Sequence, residues 1–248
     1  MADLNKTGNP IFKTKAFTQP GAIAGDRMTV SGVIGKSVIM LVLLTLTAGW
    51  VWSRFLTVGS AGAVEPYVLG GVVGGLVFAL ATAFKPNWSP VTAPLYAICE
   101  GLALGGISAL FELRYPGIVV QAVGLTLATA FGMLILYRTG IIKVTDRFKR
   151  MLFAATTGIM LFYLVTWVIS MFGVDTTVLF GHSSLSIGIS LVIVAIAAFN
   201  LVLDFDIIAR QSAIGAPRYM EWYGAFALMV TLVWLYMEIL RLLGNTRR

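Results

Sequence analysis

Seven apolar runs alternate with short polar breaks along the chain. The runs cover residues 34–56, 66–84, 91–111, 117–137, 151–172, 184–208 and 220–243. An apolar helix of about 20 residues crosses the hydrocarbon core of a bilayer, because each residue advances it by about 1.5 Å. The breaks carry turn-forming stretches such as Lys85-Pro86-Asn87 and Tyr115-Pro116-Gly117. The pattern therefore predicts an all-α integral membrane protein, a bundle of seven transmembrane helices.

The composition supports a bilayer as the solvent of this chain. Hydrophobic residues make up 58% of it and charged residues only 12%, whereas about a quarter of a soluble domain is charged. The formal net charge of +7 would suit nucleic acid if the basic residues formed a face or a stripe. They lie instead in short clusters between apolar runs, so we expect the lipid bilayer as the partner and no nucleic acid.

The basic clusters predict the orientation. With the N-terminus in the cytoplasm, most of the 18 Lys and Arg residues fall on inner segments, as the positive-inside rule requires. We expect residues 1–33 to form a cytoplasmic tail without a cleavable signal peptide, 34–243 the membrane domain, and 244–248 a short basic tail. Seven spans place that basic tail outside, against the rule, so six spans followed by a re-entrant segment stay the alternative.

Small residues predict where helices pack closely. Gly70, Gly71, Gly74 and Gly75 form two overlapping pairs with four-residue spacing, and Gly101 and Gly105 form another. Such pairs let two helix backbones approach each other in a membrane. We expect Gly70, Gly74, Gly101 and Gly105 to lie at helix contacts, and they carry no chemistry of their own.

Acidic residues inside apolar runs are the candidate functional groups, because a carboxylate in hydrocarbon costs several kcal/mol. Four of these residues are the candidates: Glu100, Asp204, Asp206 and Glu238. Glu100 lies about ten residues into the third run, roughly 15 Å deep, with no Lys or Arg within one helical turn. It is either a protonatable or cation-contacting group in the bundle, or a protonated side chain that hydrogen-bonds a neighbouring helix.

The two aspartates of the sixth run point in different directions, because residues two apart do not share a helix face. Asp206 has Arg210 four residues later, which favours a surface ion pair. Asp204 lacks such a cation, and Asn200 lies one turn earlier on the same face, so we expect this polar pair to point inward or into water. Asp204 is therefore the stronger functional candidate.

Glu238 lies in the last run and has Arg241 three residues later. An intrahelical ion pair that reaches the outer interface explains it on local sequence alone. Counted from the inner helix ends, Asp204 is shallow and Glu238 lies well toward the outside. Straight helices would keep these two acids apart, and only a bent or short final helix would join them.

The chain offers no constellation for enzyme chemistry or for a bound metal. Cys99 is the only cysteine and lies in an apolar run, and His182 is the only histidine and is expected in an outer loop. A phosphate-binding glycine loop, a Gly-x-Ser-x-Gly motif and a His-Glu-x-x-His motif are all missing from the sequence. We therefore expect no enzyme activity and no cofactor.

Several stretches resemble the transmembrane Bax inhibitor motif family, in particular a bacterial branch. They are Asp204-Phe205-Asp206, Glu221-Trp222-Tyr223-Gly224-Ala225-Phe226, the run from Thr231 to Arg241, and, in the tail, Asn9-Pro10-Ile11-Phe12 and Met28 to Val33. The similarity covers nearly the whole chain and is most specific in the last forty-five residues. It implies seven helices with the last one central, in a bacterial inner membrane.

The resemblance also implies a function. Bacterial members of the family include a pH-sensitive calcium leak controlled by two acids that share protons on the sixth and seventh helices. By motif, these positions fall on Asp204 and Glu238, near which Ca²⁺ would pass, and Glu100 would be a secondary acid of the pore or bundle. Other members imply a regulator of a membrane-bound protease that binds through the tail. The intramembrane acids alone would also allow a proton-coupled transporter, although no inverted repeat is visible.

Overall fold

A computed structural model describes residues 27–60, 62, 64–173 and 184–247 of the chain. Over these residues seven long helices follow one another, and a short 3₁₀ turn, Pro86–Trp88, joins the second to the third. Each is long and apolar enough to cross a membrane. The helices are α1 (Val30–Val58), α2 (Glu65–Phe84), α3 (Ser89–Arg114), α4 (Ile118–Arg138), α5 (Asp146–Met171), α6 (Ser184–Ala213) and α7 (Met220–Thr246). The prediction of an all-α, seven-span membrane bundle is confirmed.

Local sequence explains where several helices begin and end. The Thr29 side chain accepts a hydrogen bond from the Gly32 N–H at the start of α1, and Thr145 caps α5 by accepting from the Phe148 N–H. Such caps satisfy backbone donors that have no partner within the helix. α1 ends at Gly59 with φ +69°, a left-handed conformation that glycine adopts without steric cost.

The last helix, α7, lies at the centre of the bundle. It packs against α1, α3, α4 and α6, and Tyr163 of α5 reaches it through a hydrogen bond. Met229, Leu235 and Leu240 of α7 are fully buried. Helices α2 and α5 instead expose many large apolar side chains, as expected for surfaces that face lipid. The central last helix agrees with what the family resemblance implied.

Glycines let α3 approach α1 closely. A Cβ atom added at Gly105 would lie 2.6 Å from the Ala48 carbonyl oxygen, and one at Gly101 would lie 2.5 Å from the Leu44 carbonyl oxygen. Both distances are far below van der Waals contact, so a side chain at either position would push the helices apart. The expected packing role of Gly101 and Gly105 is confirmed.

The contact of α2 with α3 corrects one of the expected positions. An added Cβ at Gly71 would lie 2.6 Å from the Ala103 backbone nitrogen, and one at Gly74 would lie 2.8 Å from the Cys99 Sγ atom. At Gly70 an added Cβ would meet nothing within 4 Å. Gly70 therefore takes no part in this contact, because one residue of rotation, about 100°, turns it toward the outside of the bundle.

The short turns reverse the chain direction, so that α1, α3, α5 and α7 all begin at one end of the bundle, here called the Thr29 end. At this end the Met28 N–H donates to the Ala216 carbonyl oxygen at 2.7 Å. At the opposite end the Asn245 side chain donates to Ser186 Oγ at 3.1 Å. These contacts fix both ends of α7 against neighbouring segments.

Candidate functional site: buried carboxylates around the central helix

Asp204 lies in the interface of α6 with α7. The Thr231 hydroxyl of α7 donates to Asp204 Oδ2 at 2.6 Å, and the same Thr231 Oγ1 lies 3.2 Å from the Ala227 carbonyl oxygen. Among the described residues, Asp204 has no cationic partner. The expectation that this acid points into the bundle is confirmed, and a neutral hydroxyl is the group it meets there.

The Asp204–Thr231 pair can hydrogen-bond in both protonation states of the acid. An ionised Asp204 only accepts, so Thr231 donates to it. A protonated Asp204 can donate to Thr231, whose own proton then turns to the Ala227 carbonyl oxygen. The two states of the contact therefore differ by one proton on Asp204. No proton is shared between two acids, which distinguishes this contact from a pair of carboxylates.

Asn200 does not join Asp204, although both were expected to form one inward-facing polar pair. The Asn200 side chain donates to Thr156 Oγ1 of α5 and to the Ile196 carbonyl oxygen, each at 2.9 Å. Asp204 faces α7 instead. The expectation was wrong in this respect, because Asn200 turns toward α5, where Thr156 offers an acceptor.

Asp206 is a buried, charge-paired acid between α5 and α6. Arg210 Nε donates to its Oδ2 at 2.7 Å, which confirms the ion pair that the spacing predicts, and Lys149 Nζ of α5 lies 3.4 Å from the same oxygen. Only 7% of Asp206 is exposed. Two cations therefore compensate the charge of Asp206. Its ion pair with Lys149 links α6 to α5, which is a sufficient structural role for this acid.

Glu238 is buried in α7 between a phenol and a cation. The Tyr163 hydroxyl donates to its Oε1 at 2.7 Å, and Arg241 Nη1 lies 3.3 Å from its Oε2. Arg241 Nη1 also donates to the Tyr163 oxygen at 2.6 Å. The predicted intrahelical pair with Arg241 is confirmed, and Tyr163 extends it to α5.

The structure does not bring Asp204 and Glu238 together. Asp204 bonds to Thr231, and Glu238 follows Thr231 by seven residues, about 10 Å further along a straight α7. The two acids therefore lie about two turns apart with separate partners. The depth argument from the sequence anticipated this separation, whereas the pairing implied by the family resemblance is not formed in this structure.

Glu100 faces α2 and lies away from these contacts. A Cβ atom added at Gly75 of α2 would lie 3.2 Å from Glu100 Oε1. Tyr96, one turn earlier in α3, lies near the same carboxyl. Both interpretations of Glu100 stay predictions, and this placement gives Glu100 no contact with Asp204 or Glu238.

Glu221 is a buried acid that the sequence analysis did not single out. It accepts from the Thr29 N–H and from the Thr29 hydroxyl, both at 2.9 Å, and forms an ion pair with Lys36 of α1. A side chain at Gly32 would overlap the Glu221 carboxyl. One signal could have found this contact: α1 and α7 begin at the same membrane end, with Lys36 and Glu221 each near its helix start.

Within the described part of the chain, no three His, Cys, Asp or Glu side chains come close enough to hold a metal ion. Cys99 is partly buried in α3 against Gly74. His182 lies outside the described residues, as do the tail motif Asn9-Pro10-Ile11-Phe12 and most of the predicted tail.

Comparison with protein families gives a match to this chain. Neither the curated proteins nor the solved structures contain a significant match to this chain. The family model described as Bax inhibitor 1 like matches residues 9–248, nearly the whole chain. This span includes every helix of the bundle and every acid described above, so the chain belongs to the Bax inhibitor 1 like family of multi-pass membrane proteins.

Proposed function

We propose that this protein is a pH-sensitive cation leak, with Ca²⁺ as the expected ion, and that Asp204 is its responsive acid. The protein would lie in a bacterial inner membrane with its N-terminus in the cytoplasm. The observation that carries the proposal is the Asp204–Thr231 contact, in which a hydroxyl is the one partner that the described residues give this carboxyl between two membrane-spanning helices. Family membership and the multi-pass architecture support the same class of function.

Charge distinguishes Asp204, which is partly buried, from the buried acids of α6 and α7. Asp206, Glu221 and Glu238 each have a Lys or Arg within 4 Å, so their negative charges are compensated inside the protein. An ionised Asp204 has to be compensated by water or by a cation that enters the interface. Ca²⁺ prefers oxygen ligands, and Asp204, Thr231 and the Ala227 carbonyl group supply them at one depth.

The sign of the pH response follows from this charge. When Asp204 is ionised, its charge favours water and cations between α6 and α7. When it is protonated, the pair with Thr231 remains hydrogen-bonded and neutral, which favours a dry, closed interface. Flux should therefore fall on acidification, and because one proton is involved, the transition should follow a single titration.

The test is Ca²⁺ flux into proteoliposomes across about pH 5 to 8, for the wild type, Asp204→Asn and Asp206→Asn. The two variants are matched, because they make the same change two residues apart in one helix. We expect Asp204→Asn to abolish the pH dependence and Asp206→Asn to preserve it. If the wild type carries no flux above empty liposomes at any pH, the leak proposal fails. An equal loss of pH dependence in both variants would remove Asp204 from its special role.

The proton count has its own test, Thr231→Asp. This variant places a second acid against Asp204, and two carboxyl groups in contact titrate as a coupled pair. We expect its flux to change over two resolved pH steps or one broader step, whereas Thr231→Ser keeps the single transition of the wild type. An unchanged profile in Thr231→Asp would show that Asp204 does not set the pH response.

A second candidate function is regulation of a membrane-bound protease through the N-terminal tail. One observation favours it: the base of the tail is fixed to the turn between α6 and α7. Arg27 forms a backbone bridge with Pro217, Met28 bonds Ala216, and Thr29 bonds Glu221. A partner that pulls on the tail would therefore act directly on the start of α7.

Exchange of residues 1–26 for a Gly/Ser stretch of equal length separates the two functions. If the protein regulates a protease, the exchanged chain loses its effect on proteolysis of a membrane substrate by that protease. Its Ca²⁺ flux in proteoliposomes then stays unchanged. If proteolysis is the same with wild type, exchanged chain and no protein, the regulatory function is excluded.

A further inference from the structure

A cleft of about 460 Å³ opens in the side of the bundle, away from the buried acids. Helices α1 and α4 form its walls, and α3 and α7 form its floor. The floor residues Ser108, Met229 and Tyr236 are buried. On the walls, Val123 and Leu127 of α4 are each 43% exposed, so the cleft is continuous with the apolar surface that faces the bilayer.

The hydroxyl groups of this cleft are already bonded within the protein. The Ser108 and Tyr236 hydroxyls bond each other at 2.6 Å. Thr45 donates to the Leu41 carbonyl oxygen and Thr126 to the Ala122 carbonyl oxygen, each at 2.7 Å. The other lining residues are apolar except for the indole N–H of Trp52, so the lining offers mainly apolar contact to whatever enters it.

The depth of the cleft sets which molecules can reach it. Its residues on α1 lie between Leu41 and Trp52, and those on α7 between Met229 and Tyr236, in the middle of both helices. The opening therefore faces hydrocarbon, and an empty apolar space there would forfeit the dispersion contacts of its walls.

We propose that the cleft is a binding site for one acyl chain of a bilayer phospholipid. The chain enters sideways between α1 and α4 and lies against Met229, Leu232 and Val233 of α7. These residues flank Thr231, which faces α6 from the other side of the same turn. A bound chain therefore supports the central helix at the level of the Asp204 contact. The site does not depend on whether the protein conducts ions.

Photo-crosslinking tests the site in the full-length protein. The probe is a phospholipid with a diazirine in the middle of one acyl chain, in vesicles of phosphatidylethanolamine and phosphatidylglycerol. The matched variants are Gly49→Phe, in the wall of the cleft, and Gly35→Phe, outside it on the same helix. An added Cβ meets nothing within 4 Å at either position, so both variants should fold.

We expect irradiation to label the α7 peptide that contains Met229 to Tyr236, as found by mass spectrometry after digestion. Gly49→Phe should lower this labelling several-fold because its ring fills the opening, and Gly35→Phe should leave it unchanged. Labelling of the lipid-facing surface of α2 should be the same in all three proteins. Equal α7 labelling in Gly49→Phe and wild type, or none in wild type, overturns the proposal.

Two further outcomes would also overturn it. If the occupant is a free fatty acid, a fatty acid that carries the same diazirine would label α7 and the phospholipid would not. A water-soluble thiol reagent would modify Val233→Cys in a Cys99→Ser background, if the cleft is filled with water. An acyl-chain site predicts phospholipid labelling and an unreactive cysteine at position 233.

Discussion

Asp204 and Asp206 lie two residues apart in α6 and have opposite surroundings. Asp206 turns toward α5 and is held by Lys149 and Arg210, whereas Asp204 turns toward α7 and meets the Thr231 hydroxyl. Two residues of helix rotate a side chain by about 200°, which is enough to exchange one neighbour for another. The difference shows that position in one helix does not decide how the charge of an acid is compensated, because the nearest partners decide it.

The largest effect is expected where a compensated acid loses its cation. Lys36→Ala leaves Glu221 buried with only Thr29 as a partner, and an uncompensated buried charge costs about 3–5 kcal/mol. Lys36→Arg keeps the charge and should cost much less. The measurement is the free energy of unfolding in mixed micelles. If Lys36→Ala is as stable as Lys36→Arg, the Glu221 contact does not hold α1 to α7.

The next effect tests Asp204 itself. Thr231→Val removes the hydroxyl with little change in volume and leaves the acid without its described hydrogen-bond partner, at a cost of about 1–3 kcal/mol. Thr231→Ser, which keeps the hydroxyl, is the control. Unfolding in micelles compares the two. Equal stabilities would mean that water already satisfies Asp204, and the α6–α7 interface would then be wet.

Local spacing predicted the ion pairs that lie within one helix. Asp206 with Arg210 and Glu238 with Arg241 are separated by one turn, so helix geometry alone brings them together. The seven helices were predicted for the same reason, because an apolar run long enough to cross a bilayer needs no knowledge of its neighbours.

Contacts between distant helices could not be predicted in the same way. The rotation of α7 about its axis decides which residues Thr231 and Glu221 contact. A rotation by one residue, about 100°, would present a different face of α7 to each neighbouring helix. The motif resemblance implied that Glu238 is the partner of Asp204, whereas in the structure Thr231 is the residue that hydrogen-bonds Asp204. The prediction that Gly70 lies at a helix contact was wrong for the same reason. Its neighbour Gly71 lies on the face of α2 that meets α3.

A smaller effect is expected at the compensated acid of the first comparison. Asp206→Asn removes one charge from a cluster whose cations reach water, because the Arg210 side chain is 61% exposed and Lys149 29%. We expect a loss of about 1 kcal/mol in the free energy of unfolding, measured as a lower unfolding temperature. High salt should lower the unfolding temperature of the wild type as well. A loss as large as that of Lys36→Ala would show that the Asp206 cluster is shielded from solvent.

The smallest effect is expected for Glu238→Gln. The glutamine carbonyl oxygen can still accept from the Tyr163 hydroxyl, and Arg241, whose side chain is 33% exposed, can turn toward water. We expect a stability change below about 1 kcal/mol and a pH profile of Ca²⁺ flux that matches the wild type, measured beside Asp204→Asn. A flattened profile in Glu238→Gln would reinstate the paired-acid sensor, since two acids about two turns apart would then have to meet in a conformation in which α7 bends.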